Sequence, residues 1–128
     1  MIKCPVCDEY EFEKDSDYDV CDVCGWENDG LQYDDPDDWD GANYSSLNTT
    51  RLEYSLLKNS VTHAETQEAR ELYRENIGEI WSKLNNSNPR IDDDKLCGEF
   101  EKAHENYKNT LTAINQKSSR SEKKQVAV

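Results

Sequence analysis

Residues 4–25 read CPVCDEYEFEKDSDYDVCDVCG, four thiols set among eight carboxylates with Lys14 as the one cation between them. Thiolates and carboxylates crowded this way repel, so the stretch needs a positive charge to hold it in shape. The spacing C-x2-C-x13-C-x2-C says where that charge sits. Two residues between thiols let a tight turn aim both sulfurs at one point, and two such turns facing each other make a tetrahedral sulfur site suited to zinc. Cys4, Cys7, Cys21 and Cys24 are therefore the expected ligands of one structural Zn2+. Thirteen intervening residues suffice for short hairpins, with EYEFE and DYDV as candidate strands, and Gly25 lets the backbone bend after the second pair. Redox chemistry is a poorer reading, because neither pair heads a strongly helical segment. Four thiolates and one Zn2+ remain net negative, so the carboxylates must face water, where charge costs little. A stretch with so few apolar residues should depend on its metal to fold. A closed shell of four sulfurs leaves no position for a substrate, so the zinc is expected to be structural and the protein not an enzyme.

Charge divides the chain further. Residues 1–45 hold 15 Asp and Glu against 2 Lys, a net −13, whereas residues 46–128 balance 13 against 13. An acidic surface of this kind disfavours nucleic acid, which needs Lys and Arg to displace counterions, and favours a basic protein partner. Residues 26–45 are rich in Gly, Asn, Asp and Pro and read as loop, with Leu31, Tyr33, Trp39 and Tyr44 placed to pin it down. Within it Asp34, Asp35, Asp37, Asp38 and Asp40 surround Trp39, a candidate partner-binding face with an aromatic anchor. A calcium loop does not fit. Aligning Gly41 with the obligatory glycine of an EF-hand puts Pro36 at the first ligand position and Leu47 where a Glu is needed.

The remainder reads as helix. Ser45 or Ser46 can cap a short helix carrying Leu47, Leu52, Leu56 and Leu57. Thr62 and Glu65 fit a capping box, followed by an apolar stripe of Ala69, Leu72, Tyr73, Ile77, Ile80, Trp81 and Leu84. After the break at Asn85–Arg90, acidic Asp92–Asp94 suit the first turn of a helix whose stripe is Leu96, Phe100, Ala103, Tyr107, Leu111 and Ile114. The pair reads as an antiparallel helical hairpin. Cys97 beside that stripe is expected to be a small buried hydrophobe. Three regions result: an acidic zinc-binding module over 1–45, a helical region over 46–116 and a flexible basic tail over 117–128. The fold class is a small zinc-ribbon-like module of short β-hairpins followed by helices, α+β and mostly α.

Residues 3 to about 58 resemble the cysteine-rich CPCC family of short bacterial proteins. The resemblance rests on Cys4, Pro5, Cys7, Cys21, Cys24, Trp26, Glu27, Asp29, Gly30, Gln32, Pro36, Gly41, Ala42, Asn43, Ser46, Leu47 and Asn48. Val6 stands where the family has a third cysteine in its first cluster, which leaves four thiols for the metal. The resemblance supplies a fold expectation rather than an activity. There is no Ser-His-Asp order, no glycine-rich phosphate loop and no His pair spaced for a metalloprotease. No apolar run approaches the roughly 18 residues of a membrane helix, and the opening MIKCPVCDEY has no signal-peptide core. The expectation is a cytoplasmic, zinc-stabilised, acidic protein-binding module. Its most concrete form is an immunity protein or antitoxin neutralising a basic toxin such as a nuclease. The alternative is a zinc ribbon associated with nucleic acid or regulation, using the basic residues Lys117, Arg120, Lys123 and Lys124.

Overall fold

A computed structural model of the chain describes residues 2–14, 17–86 and 93–126. The elements run β1 (Ile2–Lys3), β2 (Glu11–Phe12), α1 (Gly30–Asp34), α2 (Leu47–Lys58), α3 (His63–Asn86) and α4 (Asp93–Val126). Short strands at the amino end followed by long helices make an α+β fold that is mostly helical, as the sequence patterning implies. The chain divides into two compact units, Met1–Lys58 and Asn59–Val128.

In the first unit β1 and β2 pair antiparallel, Ile2 opposite Phe12 and Lys3 opposite Glu11. An isolated bridge joins Val20 to Glu27. The core is small: Cys4, Phe12, Cys21, Trp26 and Leu47 are buried together, with Val6, Cys7, Tyr10 and Cys24 packed against them. Four of those nine residues are cysteines, which is why apolar burial alone cannot carry the unit. Helix α2 belongs here because Leu47, its first residue, fills the cysteine core. Of the two serines that could cap it, Ser46 does so: its Oγ accepts the Thr49 N–H at 3.2 Å.

The second unit is an antiparallel helical hairpin. The pairing descends one helix as it climbs the other: Glu65 with Lys117, Tyr73 with Tyr107 and Trp81 with Phe100. Tyr73 and Tyr107 stack with ring centres 4.4 Å apart and planes within 1°. Tyr73 and Ile80 of the first stripe and Leu96, Tyr107, Leu111 and Ile114 of the second are buried, with Ala69, Ile77, Phe100 and Ala103 half-buried. Two expectations need correction. Cys97 is exposed rather than buried, because it sits one residue past Leu96 and is turned away from the seam. Leu72 is exposed on the outer edge of its stripe, and Trp81 covers Phe100 while remaining 39 % exposed. The side chain of Leu84 and the connection at 87–92 lie outside the described residues. Helix α4 continues through Val126, past Lys117, where the Lys, Arg, Glu and Gln of the basic segment are all good helix formers. Among the described residues no helix is long and apolar enough to cross a membrane.

His104 is buried in the hairpin, edge-on to Tyr73. Burial, with the charge of Lys108 adding to it and that of Glu105 opposing, holds its pKa below the ordinary value of 6.5. The unfolded chain therefore takes up a proton near pH 6.5 that the folded hairpin refuses. Stability of the helical unit is full above about pH 6.5 and falls as pH drops below it, by up to about 1.4 kcal/mol per pH unit. Urea unfolding followed by helical circular dichroism at pH 7.5 and 5.5 should show this loss, and His104→Leu should remove the His104 share of it.

Candidate metal centre

The two cysteine pairs sit at the tips of two hairpins that repeat each other. In the first, the Cys4 N–H donates to the Tyr10 carbonyl at 2.7 Å, and the Asp8 N–H returns to the Cys4 carbonyl at 2.9 Å. In the second, the Cys21 N–H donates to the Trp26 carbonyl at 2.8 Å, and the Gly25 N–H returns to the Cys21 carbonyl at 3.0 Å. The residue after each second cysteine must turn left-handed to close the tip. Gly25 does so at φ 84° and Asp8 at φ 61°. Glycine takes this conformation freely, and aspartate is among the few other residues that tolerate it.

These turns bring the four sulfurs together. Cys4 Sγ lies 3.6 Å from Cys24 Sγ, Cys7 Sγ lies 3.5 Å from Cys21 Sγ, and all four fall within 4.8 Å of one another. A tetrahedral ion with metal–sulfur bonds of about 2.3 Å needs sulfurs about 3.8 Å apart, so the cluster fits one such ion. Backbone amides prepare the sulfurs for it. Cys21 Sγ accepts the N–H groups of Val23 at 3.3 Å and Cys24 at 3.4 Å. The amides of Cys7 and Val6, the matching positions of the first tip, act on the Cys4 thiol in the same downward sense. Donors aimed at sulfur favour thiolate, while burial opposes it. Burial pushes the Cys4 and Cys24 thiols up, Cys24 far up. At Cys21 burial also acts upward, but the amides of Cys24 and Val23 and the Cys7 thiol outweigh it, and the thiol ends below its ordinary value. Four such neighbours cannot ionise together without a cation among them. Cys4 and Cys21 are buried and Cys7 and Cys24 half-buried, with Trp26 closing the cluster from the core side.

Around this centre the sequence holds a second layer that its acidity conceals. The Asn43 side chain accepts the Glu27 N–H at 2.7 Å and donates to the Glu27 carbonyl at 2.9 Å, so it takes the place of a third strand along that edge. Its amide also donates to Gln32 Oε1 at 2.9 Å. Gln32 is fully buried, and its Nε2 donates to the carbonyls of Asp38 at 3.0 Å and Ser45 at 2.9 Å. Asp29 caps α1 through Leu31 N–H at 2.9 Å and accepts Ala42 N–H at 3.2 Å on its other oxygen. Asn28 donates to the Lys14 carbonyl at 2.9 Å and to Asp17 at 2.8 Å, and that bond, first, holds the Asp17 carboxyl below its ordinary value. Asn48 clasps the loop from α2, its N–H on the Pro36 carbonyl and its side chain on Asp37, both at 2.9 Å.

This network overturns the expectation that Leu31, Tyr33, Trp39 and Tyr44 pin the loop. Leu31 is 71 % exposed, Tyr33 and Tyr44 are also exposed, and Trp39 is half-buried. The loop carbonyls at Asp38 and Ser45 need donors rather than grease, and Gln32 supplies them from beneath. Of the candidate partner-binding residues, Asp34, Asp35, Asp37 and Asp40 are exposed and Asp38 is half-buried, its Oδ1 accepting the Asp40 N–H at 2.9 Å. They share one stretch with Trp39, held from behind by Gln32. Reading by charge overlooked Asn28, Gln32 and Asn43; the available signal was neutral amides recurring amid carboxylates.

A family model described as cysteine-rich CPCC matches residues 2–76. That span covers both hairpins, the amide network, α2 and the start of α3. No curated protein and no solved structure matches the chain.

Two substitutions test this construction. A Cβ at Gly25 would meet nothing within 4 Å, so Gly25→Ala has a purely conformational cost of about 1–2 kcal/mol, and Asp8→Gly at the matching tip should be neutral or stabilising. A Cβ at Gly41 would lie 2.6 Å from Gln32 Cγ. Gly41→Ala should therefore displace Gln32 and cost about 2 kcal/mol or more through the bonds it breaks. Urea unfolding of the metal-loaded protein measures all three.

Proposed function

The chain belongs to the cysteine-rich CPCC family, and on that footing we propose that it is a non-catalytic, zinc-stabilised module that docks on a basic protein. Zinc is the metal because four thiolates on two tight turns offer the closed, soft, tetrahedral set that structural zinc takes. The observation that carries the docking role is the charge distribution. No Lys or Arg occurs between Lys14 and Arg51, while the carboxylates of that span sit on a backbone braced by the buried amide of Gln32 and the half-buried amide of Asn43. A braced acidic face keeps its charges in place when a partner arrives, so less order has to be imposed on binding. Asp34, Asp35, Asp37, Asp38 and Asp40 steer the encounter, and Trp39 is the anchor that closes on contact. In its most concrete form the protein is an immunity protein or antitoxin in the cytoplasm, covering the positive cleft of a toxin such as a nuclease.

Metal analysis should find one zinc per chain. Cys21→Ser should abolish metal retention and the dispersed amide spectrum of residues 2–58 while leaving the helical hairpin folded. A zinc-free protein with that unit intact would overturn the metal assignment. For docking, capture of basic proteins from the source cell is followed by surface-binding kinetics. Asn replacements at Asp34, Asp35, Asp37 and Asp40 should slow association and flatten its salt dependence. Trp39→Ala should speed dissociation at a cost of about 2 kcal/mol. Recovery of nucleic acid in place of protein would overturn the reading.

A further inference from the structure

The two hairpins repeat each other at the metal, yet they are covered differently. Over the first tip lies α2: Arg51 Nε donates to the Pro5 carbonyl at 2.7 Å, and Val6 is packed against the cysteine core. One residue after each first cysteine, Pro5 corresponds to Asp22, and two residues after, Val6 corresponds to Val23. At the second tip that cover is missing. Val23 is 49 % exposed, and Val20 and Tyr18, which lead into the tip, are 48 % and 51 % exposed. Among the described residues nothing donates to the Asp22 carbonyl. Three exposed apolar side chains within six residues make a surface suited to contact, where a scattered single one would mean little. Asp17, Asp19, Asp22 and Glu27 lie in the same stretch, against Lys14 as its one cation.

We propose that the second cysteine hairpin, at Tyr18, Val20 and Val23, is a docking site for an amphipathic helix of a basic protein partner, seated as α2 is seated on the first. The first hairpin supplies the pattern: a helix whose first residue, Leu47, enters the cysteine core against which the valine packs, and whose guanidinium donates to the carbonyl after the first cysteine. The carboxylates around the second hairpin select a helix carrying Arg or Lys, in the manner of a helix laid against an apolar surface with charged flanks. The site rests on the reading that this module binds a basic protein, and it is distinct from the face at Asp34–Asp40.

The probe is a stapled helical peptide with the sequence of residues 46–58 and Glu53→Arg, which keeps the Arg51 contact and adds positive charge. It is titrated into the zinc-loaded full chain and followed by amide chemical shifts. Shifts confined to residues 18–25, saturating and weakened by salt, are expected. Val23→Asp should weaken binding about tenfold or more while metal content is unchanged. The combined Asn variant at Asp34, Asp35, Asp37 and Asp40 should keep the same shifted residues. Shifts at Pro5 and Val6, at the acidic loop or in the helical unit, or no binding, would overturn the proposal. Binding lost with the loop variant but not with Val23→Asp would place the helix on the loop and leave the broader docking role standing. Failure to capture any basic protein, with the peptide still on residues 18–25, would instead strike the broader reading.

Discussion

Everything in the first unit depends on bringing four thiols within 4.8 Å of one another in a segment of high negative charge. Burial alone works against this, since it pushes Cys4 and Cys24 up and discourages ionisation. The backbone offsets part of the cost by aiming amides at Cys4 and Cys21, and a cation must supply the rest. Because Cys4 and Cys21 also make up much of the buried core, metal binding and core formation are one event in this unit. The helical hairpin carries its own seam of stacked tyrosines and buried aliphatics and has no share in that dependence.

From the sulfur cluster outward, order is passed on by hydrogen bonds rather than by apolar packing. Asn43 completes the edge of the Val20–Glu27 bridge, Gln32 holds the far side of the acidic loop, and Asn48 ties that loop to α2. Gln32, the buried one of the three, is satisfied at both ends, which is the condition under which buried polar groups specify a structure instead of weakening it. Gly41 is part of the same device, since Gln32 occupies the space a side chain would need. The outcome is an acidic surface with little freedom, standing on a core of only a few side chains. A surface of that kind can present many like charges without the loop swelling away from the module.

The near-repeat of the two hairpins gives the unit its asymmetry as well. Both tips close by an N–H returning to the carbonyl of the first cysteine, but one is roofed by α2 and the other is open. Glycine closes the open tip and aspartate the roofed one. The exposed valines and tyrosine of the second hairpin are therefore a consequence of topology. The chain leaves that hairpin for the amide network and returns as a helix over the first.

Spacing and periodicity were enough to read the four-cysteine cluster, the mostly helical architecture and the antiparallel hairpin. Two residues between thiols dictate a turn, and apolar residues recurring at three and four dictate a helix face, whatever lies far away in the chain. The short-range signals failed where the outcome depended on distant partners. Leu31, Tyr33 and Tyr44 look like pins for a loop until Gln32 and Asn43, within that loop, are seen to bond its own carbonyls at Glu27, Asp38 and Ser45. Cys97 looks like core until the seam of the hairpin is seen to pass through Leu96 beside it. Composition marks residues 1–45 as acidic, but not that the acid sits on a braced backbone or that one of two like hairpins is left open. Those features arise from contacts between residues as far apart as Pro5 and Arg51, and only the folded chain decides which carbonyl finds which donor.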